Sequence, residues 1–245
     1  MRIPRIYTQA NLHHNQSTIV KAQAHKHIKD VLRLKVSDSI ILFDGSGYDY
    51  RGKITEINKE SLSVLLEQQI KIENESPLKI HLLQPLCRSE KMDWCIQKAV
   101  ELGVSRITPY TSSRTNINIP NNRLSKKLEH WHSVIQSACE QSGRALLPSL
   151  ESPIDFNTAI NEFSSDYLKV IASPIANQNE INLVETTPEE CVLAIGPEGG
   201  FSDQELKHAS NAEFIDCLLG PRVLRLETAV IAALTLLQIK LGDLN

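Results

Sequence analysis

From Pro77 onward, short apolar runs alternate with segments of helical period. Lys79 to Leu86 reads as a strand; Met92, Ile96, Ala99 and Val100 share one face of a helix that Gly103 closes; Arg106 to Tyr110 is a second strand. Leu128, Trp131, Ile135, Ala138 and Cys139 mark the next helix, and Leu168 to Ala172, Cys191 to Ile195 and Phe214 to Leu219 are further strands. Strands separated in this way by helices predict an α/β unit with a mostly parallel sheet covered on both faces. Such sheets bind ligands outside the carboxyl ends of their strands, so the loops after Ala172, Ile195 and Leu219 are where chemistry is expected.

Up to about residue 73 the rhythm is different. Ser39 to Phe43, Tyr48 to Ile57 and Ser61 to Leu66 read as strands separated by turns rich in Gly, Asn or Asp, and one helical pattern interrupts, with Ala24, Ile28, Val31 and Leu32 on a shared face. This predicts a small β-rich barrel over residues 1–73, a polar linker at Lys71–Pro77 and a second domain over residues 74–245.

Composition narrows the class. With 41% hydrophobic and 22% charged residues, disorder, collagen and a disulfide-stapled miniprotein are excluded. The start MRIPRIYTQA contains no apolar stretch of signal-peptide type, and the run Val230–Leu241 is interrupted by Thr235, Gln238 and Lys240, so a cytoplasmic protein with no membrane partner is expected. Cys87, Cys95, Cys139, Cys191 and Cys217 form no CxxC pair and read as reduced core thiols. His13, His14, His25 and His27 lack a carboxylate or cysteine partner at ligand spacing, and no metal is expected. The net charge of −3 argues against a nucleic-acid partner only as a total: the first 150 residues carry 21 basic and 14 acidic side chains, the last 95 carry 5 and 15.

Two loops carry candidate chemistry. In IGPEGGFSDQE, Gly196, Gly199 and Gly200 follow a strand and lead to a helix whose Ser202 and Glu205 form a capping-box pattern. Free backbone N–H groups at such a helix start suit a nucleoside or carboxylate ligand; the alternative is a tight βα connection without a ligand. The spacing matches neither the P-loop nor the GxGxxG dinucleotide loop. In LLGPRVLRLETA, Arg222, Arg225 and Glu227 stand at the mouth of a nearly all-apolar helix that should be buried, so these charges need partners, and an Arg225–Glu227 structural pair is one possibility.

These two segments resemble the signature loops of the RsmE family, ribosomal RNA small-subunit uridine-N3 methyltransferases of the SPOUT class. RIPRIY, HIKDVLRLKVSD, IQKAVELGV with the following SSRT, and WHSVIQSACEQSGR ahead of Pro148 extend the resemblance over nearly the whole chain. It implies a PUA-like RNA-binding barrel, then a SPOUT domain with a trefoil knot over roughly residues 170–240, which ordinary topology rules would exclude. It further implies methylation, by S-adenosyl-L-methionine, of N3 of a uridine in 16S ribosomal RNA within the small subunit, by a homodimer whose active site lies near the subunit interface. Donor-binding positions carried onto this chain are Ala172, Ser173 and Pro174; Ile195, Gly196, Glu198, Gly199 and Gly200; and Leu219, Gly220, Val223, Leu224 and Leu226. Leu226 stands where the family usually shows threonine, which leaves a backbone contact there rather than a hydroxyl contact.

Methylation at N3 needs loss of the N3 proton as negative charge develops on the uracil carbonyls. Arg225 is the expected catalytic cation and Glu198 and Glu227 the candidate proton acceptors, with two alternatives: Glu227 clamping Arg225 or capping its helix, or alignment alone supplying the rate. Arg2, Arg5, Arg33 and Lys35, with Arg114, Arg123, Lys126, Lys127 and Arg144, are candidate RNA contacts. Transfer-RNA ribose methylation and non-catalytic RNA binding are the alternative functions.

Overall fold

The computed structural model describes residues 3–173, 184 and 188–244. The chain divides into two compact units, Met1–Glu75 with Gln136–Leu147, and Ser76–Ile135 with Pro148–Asn245. The break after Glu75 falls within the expected linker; the assignment of Gln136–Leu147 to the first unit has no counterpart in the sequence reading.

The first unit holds β1 (Arg5–Tyr7), β2 (Ser17–Lys21), β3 (Ser39–Phe43), β4 (Tyr48–Ile57) and β5 (Ser61–Lys71) in one sheet of order β1-β3-β4-β5-β2. β1, too short to show an apolar period, and β2, whose only apolar residues are the adjacent Ile19 and Val20, join the three expected strands. Alternation aims Leu62, Val64 and Leu66 of β5 at a core shared with Ile40, Leu42, Ile54 and Ile28. Gly52 lies at a register shift between β4 and β5, where an added Cβ would stand 2.3 Å from the Leu65 carbonyl oxygen, so only glycine fits. α1 (Ala22–Lys26) continues into a π-helical turn at His27–Val31. The wider turn rotates Val31 out of the expected shared face: Ile28 is fully buried while Val31 is 66% exposed.

In the second unit β6 (Lys79–Pro85), β7 (Val104–Thr111), β8 (Ser149–Leu150), β9 (Ile154–Asp155), β10 (Leu168–Ala172), β11 (Glu190–Ile195) and β12 (Ile215–Cys217) form a sheet of order β12-β10-β11-β6-β7-β8, with β9 also on β7. Every pairing in it is parallel, and β6 and β11 are buried almost throughout, as apolar runs without alternation require. The helices of this unit are α2 (Ser89–Glu101), α4 (Phe156–Ile160), α5 (Asp203–Asn211), α6 (Leu226–Leu241) and, up to Ile135, α3 (Asn121–Ser142), whose remainder belongs to the first unit. Gln238, a polar interruption of the last apolar run, is buried on α6, where it donates to the Leu102 carbonyl at the end of α2 and accepts from Ser76 Oγ.

α6 departs from the expected all-round burial. Val230, Ala233, Leu234 and Leu237 are buried, yet Ile239 is 56% exposed and Ile231 and Leu236 are only partly covered. The region implied to be knotted includes residues 174–183 and 185–187, which lie outside the described residues.

Candidate active site at the carboxyl edge of the parallel sheet

The register of the sheet brings the three predicted loops together. Ala172 at the end of β10 pairs with Ile195 at the end of β11 on one side and with Cys217 at the end of β12 on the other. Ser173, Gly196–Gly200 and the segment from Leu218 to Arg225 therefore leave the sheet side by side, although 46 residues of sequence separate Ala172 from Leu218. Pro174 lies outside the described residues.

The glycine-rich loop is fastened from several sides. The buried Tyr110 hydroxyl donates to the Ile195 carbonyl, and burial pushes its pKa up, keeping it protonated. Gly200, at φ +71°, closes a turn by donating its N–H to the Pro197 carbonyl at 2.8 Å. Arg114 Nη1 donates to the carbonyls of Gly199 and Phe201, both at 3.1 Å. Phe201 is buried against Phe156, with ring centroids 4.9 Å apart. Space is tight: an added Cβ would stand 3.2 Å from the Phe201 ring at Gly196 and 3.1 Å from Arg114 Cβ at Gly199.

α5 begins with the expected capping box, Ser202 and Glu205 satisfying each other's backbone N–H. Glu205 also accepts from the Ser113 N–H at 2.9 Å, tying the loop after β7 to the same helix start. Burial works to raise the Glu205 carboxyl, but hydrogen bonds from Ser202 and Ser113 outweigh it and hold the group below the ordinary carboxylate value.

The loop after β12 is open. Gly220 adopts φ +98° and an added Cβ there would meet none of the described residues within 4 Å; Val223 is 84% exposed, Leu219 and Leu224 are half-buried, and Leu226 is buried at the start of α6. Arg225 is the residue that precedes the helix, and its side chain is exposed and caps nothing.

Solved and curated proteins share this architecture. Models of an RNA methyltransferase domain and an RNA methyltransferase PUA domain match residues 74–238 and 21–67. Ribosomal RNA small subunit methyltransferase E of Buchnera aphidicola from Schizaphis graminum is 41% identical over all of this chain and 99% of its own length, and that of Bacillus subtilis 29% over 85% and 84%. A ribosomal RNA small subunit methyltransferase E from Neisseria gonorrhoeae, solved bound to S-adenosylmethionine, superposes with TM-score 0.91 at 33% identity over the full length of both chains. A Legionella pneumophila protein solved with the same cofactor gives TM-score 0.94 at 36% identity, again over both full lengths. The chain belongs to the RNA methyltransferase family.

Seen as a family member, the chain keeps its three loops on one edge but distributes its charges differently from the sequence reading. Arg225 and Glu227 form no ion pair. Glu227 Oε2 is instead 3.9 Å from Lys91 Nζ, and it is buried without a hydrogen-bond partner among the described residues. The same ammonium donates to Glu198 Oε1. Lys91, from α2, thus stands between both candidate proton acceptors, and sequence reasoning missed it. Its available signal was a lysine in the first turn of a helix, where the macrodipole favours acids.

Two RNA-contact expectations are corrected. Arg5 holds Asp49 at 2.7 Å and the carbonyls of Cys139 and Arg144 at 2.7 and 2.9 Å, with its guanidinium 3.8 Å from the centre of the Phe43 ring. Arg144 is buried and pairs with Glu75 at 2.5 Å. Both guanidiniums satisfy groups of the first unit instead of facing solvent, as desolvated charges must. Arg33, Lys35, Arg123 and Lys126 are exposed, and Lys127 donates to Ser89 Oγ. Arg2 lies outside the described residues. Among the described residues no cluster of metal-ligating side chains occurs, no helix is long and apolar enough to cross a membrane, and the five cysteines are free and buried.

Proposed function

We propose that the chain transfers the methyl group of S-adenosyl-L-methionine to N3 of a uridine in 16S ribosomal RNA of the small subunit. The observation that carries this reading is the single row formed by Ala172, Ile195 and Cys217, from which the three loops depart. It is supported by relatives named as small-subunit ribosomal RNA methyltransferases and by full-length structural matches holding the donor.

The residues present fit the donor. Gly220 leaves space beside a backbone of positive φ, and Gly196 and Gly199 pack so closely on Phe201 and Arg114 that a side chain at either would shift the loop that is to hold the donor. Ala172, Ser173, Ile195, Gly196, Glu198, Gly199 and Gly200, then Leu219, Gly220, Val223, Leu224 and Leu226, would hold it, with Leu226 contributing backbone because its side chain is buried. Bound there, the donor supplies an electrophilic methyl group. Arg225, exposed and without an ion pair among the described residues, offers a guanidinium to the uracil carbonyls as N3 loses its proton. Glu198 and Glu227 are the proton acceptors within the same cluster.

The first unit and the exposed Arg33, Lys35, Arg123 and Lys126 would contact RNA phosphates, and Arg114 acts on the RNA side by fixing the glycine-rich loop. The incompletely covered face of α6, with exposed Trp94, Val223 and Leu244, supports a homodimer. A cytoplasmic location follows from the substrate.

The test incubates the protein and labelled donor with small subunits from a strain lacking the endogenous enzyme. Label in 3-methyluridine of 16S RNA is expected. Label in a 2′-O-methyl nucleoside or in transfer RNA overturns the assignment, and absence of donor binding by a folded protein leaves a non-catalytic RNA-binding protein.

A further inference from the structure

We propose that Lys91 is a positioning residue of the methyl-transfer site, clamping the glycine-rich loop through Glu198 and the first turn of α6 through Glu227 so that donor and Arg225 face each other in one geometry. The inference rests on the methyltransferase reading.

Three observations converge. First, the local structure of α2 gives no reason for a lysine at this point. Ser89, Glu90 and Lys91 form its first turn, Arg88 before it supplies no side-chain cap, and the positive end of a helix dipole disfavours a cation. Second, both anionic partners come from elements far away in sequence that carry the chemistry. Glu198 is 107 residues on, between the glycines of the donor loop, and Glu227 is two residues beyond Arg225. Third, Glu227 Oε2 is buried with no hydrogen-bond partner among the described residues, and the Lys91 ammonium 3.9 Å away is the cation that offsets its charge.

The geometry separates Lys91 from a general stabilising ion pair. Its side chain is 36% exposed, and exposed pairs contribute little to stability. One carboxylate sits on the glycine-rich loop and the other on the first turn of α6, so losing the ammonium frees two segments whose mutual placement decides whether the methyl carbon lies in line with N3. Misplacement by about 1 Å is enough to cost roughly 10²-fold in rate. Arg225 feels this directly, because Glu227 fixes the first turn of the helix that Arg225 precedes.

The experiment measures turnover on small subunits, donor affinity by calorimetry and thermal unfolding for the unmodified protein, Lys91→Met, Lys91→Gln and Lys91→Arg. Expected is a tenfold or greater fall in kcat for Lys91→Met, a donor Kd within threefold of the unmodified value, an unfolding midpoint lowered by no more than a few degrees with the protein fully folded at the assay temperature, and recovery of most turnover in Lys91→Arg. Lys91→Gln gives the same reading should Met disturb folding. Near-normal kcat in the neutral variants overturns the proposal. So does a loss that appears only in donor affinity or unfolding midpoint, and so does Lys91→Arg as poor as Lys91→Met. If the unmodified protein forms no 3-methyluridine, the methyltransferase reading fails and takes the clamp with it; product formation with an indifferent Lys91 removes the clamp alone.

Discussion

The loops after β11 and β12 leave the same edge of one sheet and are built in opposite ways. The first is fixed by the Tyr110 hydroxyl, by Arg114 on two carbonyls, by the buried Phe201 and by the capping box of α5. The second has an open space at Gly220, an 84% exposed Val223 and an exposed Arg225. A loop whose backbone is fastened is preorganised for a ligand read through backbone groups, the methyl donor in the function proposed above. A loop whose side chains stay free keeps its interactions for what arrives later, the RNA base or a second protomer. Most of the affinity for the donor should therefore reside in the first loop and most of the chemistry in the second.

The sharpest way to break this division is Arg225→Ala. Removing a cation aimed at developing oxyanion charge costs on the order of 10²-fold or more in kcat. Donor Kd should stay within threefold, because among the described residues no hydrogen bond or ion pair of the Arg225 side chain fastens the first loop. Near-normal turnover with 3-methyluridine still formed would make Arg225 structural and move the chemistry elsewhere.

Gly199→Val attacks the other side. The added Cβ would stand 3.1 Å from Arg114 Cβ and 3.3 Å from its carbonyl oxygen, and the branched side chain must also point somewhere in a loop with little room. Donor Kd should rise about tenfold, equivalent to ~1.4 kcal/mol. Calorimetry showing an unchanged Kd would mean that the donor does not use this loop.

The contrast between the loops was partly legible in the sequence. Apolar runs without alternation marked the buried strands, and glycines beyond their carboxyl ends marked the edge where the three loops meet, because both signals are local. The capping box was legible for the same reason, with Ser202 and Glu205 three residues apart. What decides the electrostatics is not local. Charge pattern gives the sign of a side chain and not its partner, so Arg5 and Arg144 read as phosphate contacts although Asp49 and Glu75, 44 and 69 residues away, hold them. Lys91 was invisible because its partners lie on a loop and a helix start that only the fold brings together. The composition of α6 showed an apolar helix and could not show that one chain covers only part of it.

A stability measurement sharpens the comparison further. Glu205 joins the helix start to the Ser113 N–H, and Glu205→Gln leaves at least one of its donors poorly matched, for an expected loss of about 1–3 kcal/mol. Its carboxyl is held low in the folded protein, so its contribution is present above the unfolded value, about 4.3, and is lost as pH falls through the lower folded value. Thermal unfolding of the unmodified protein should therefore lose ground below about pH 4 relative to Glu205→Gln. Parallel pH profiles for the two proteins would show that the hydrogen bonds to Glu205 do not favour its ionised form.

The smallest effect is the most discriminating for the open loop. Gly220 sits at φ +98°, so Gly220→Ala carries a backbone cost of about 1 kcal/mol, read as a lower unfolding midpoint of the donor-free protein. The new methyl meets no atom of the described residues within 4 Å, so no clash with them adds to that cost. Two measurements then separate strain from contact. If the donor fills this space, its Kd rises about threefold in Gly220→Ala, equivalent to ~0.65 kcal/mol, in protein that is still folded at the assay temperature. Unchanged donor affinity alongside the expected loss of stability would place the donor wholly against the fastened loop and leave the space beside Gly220 to the RNA base.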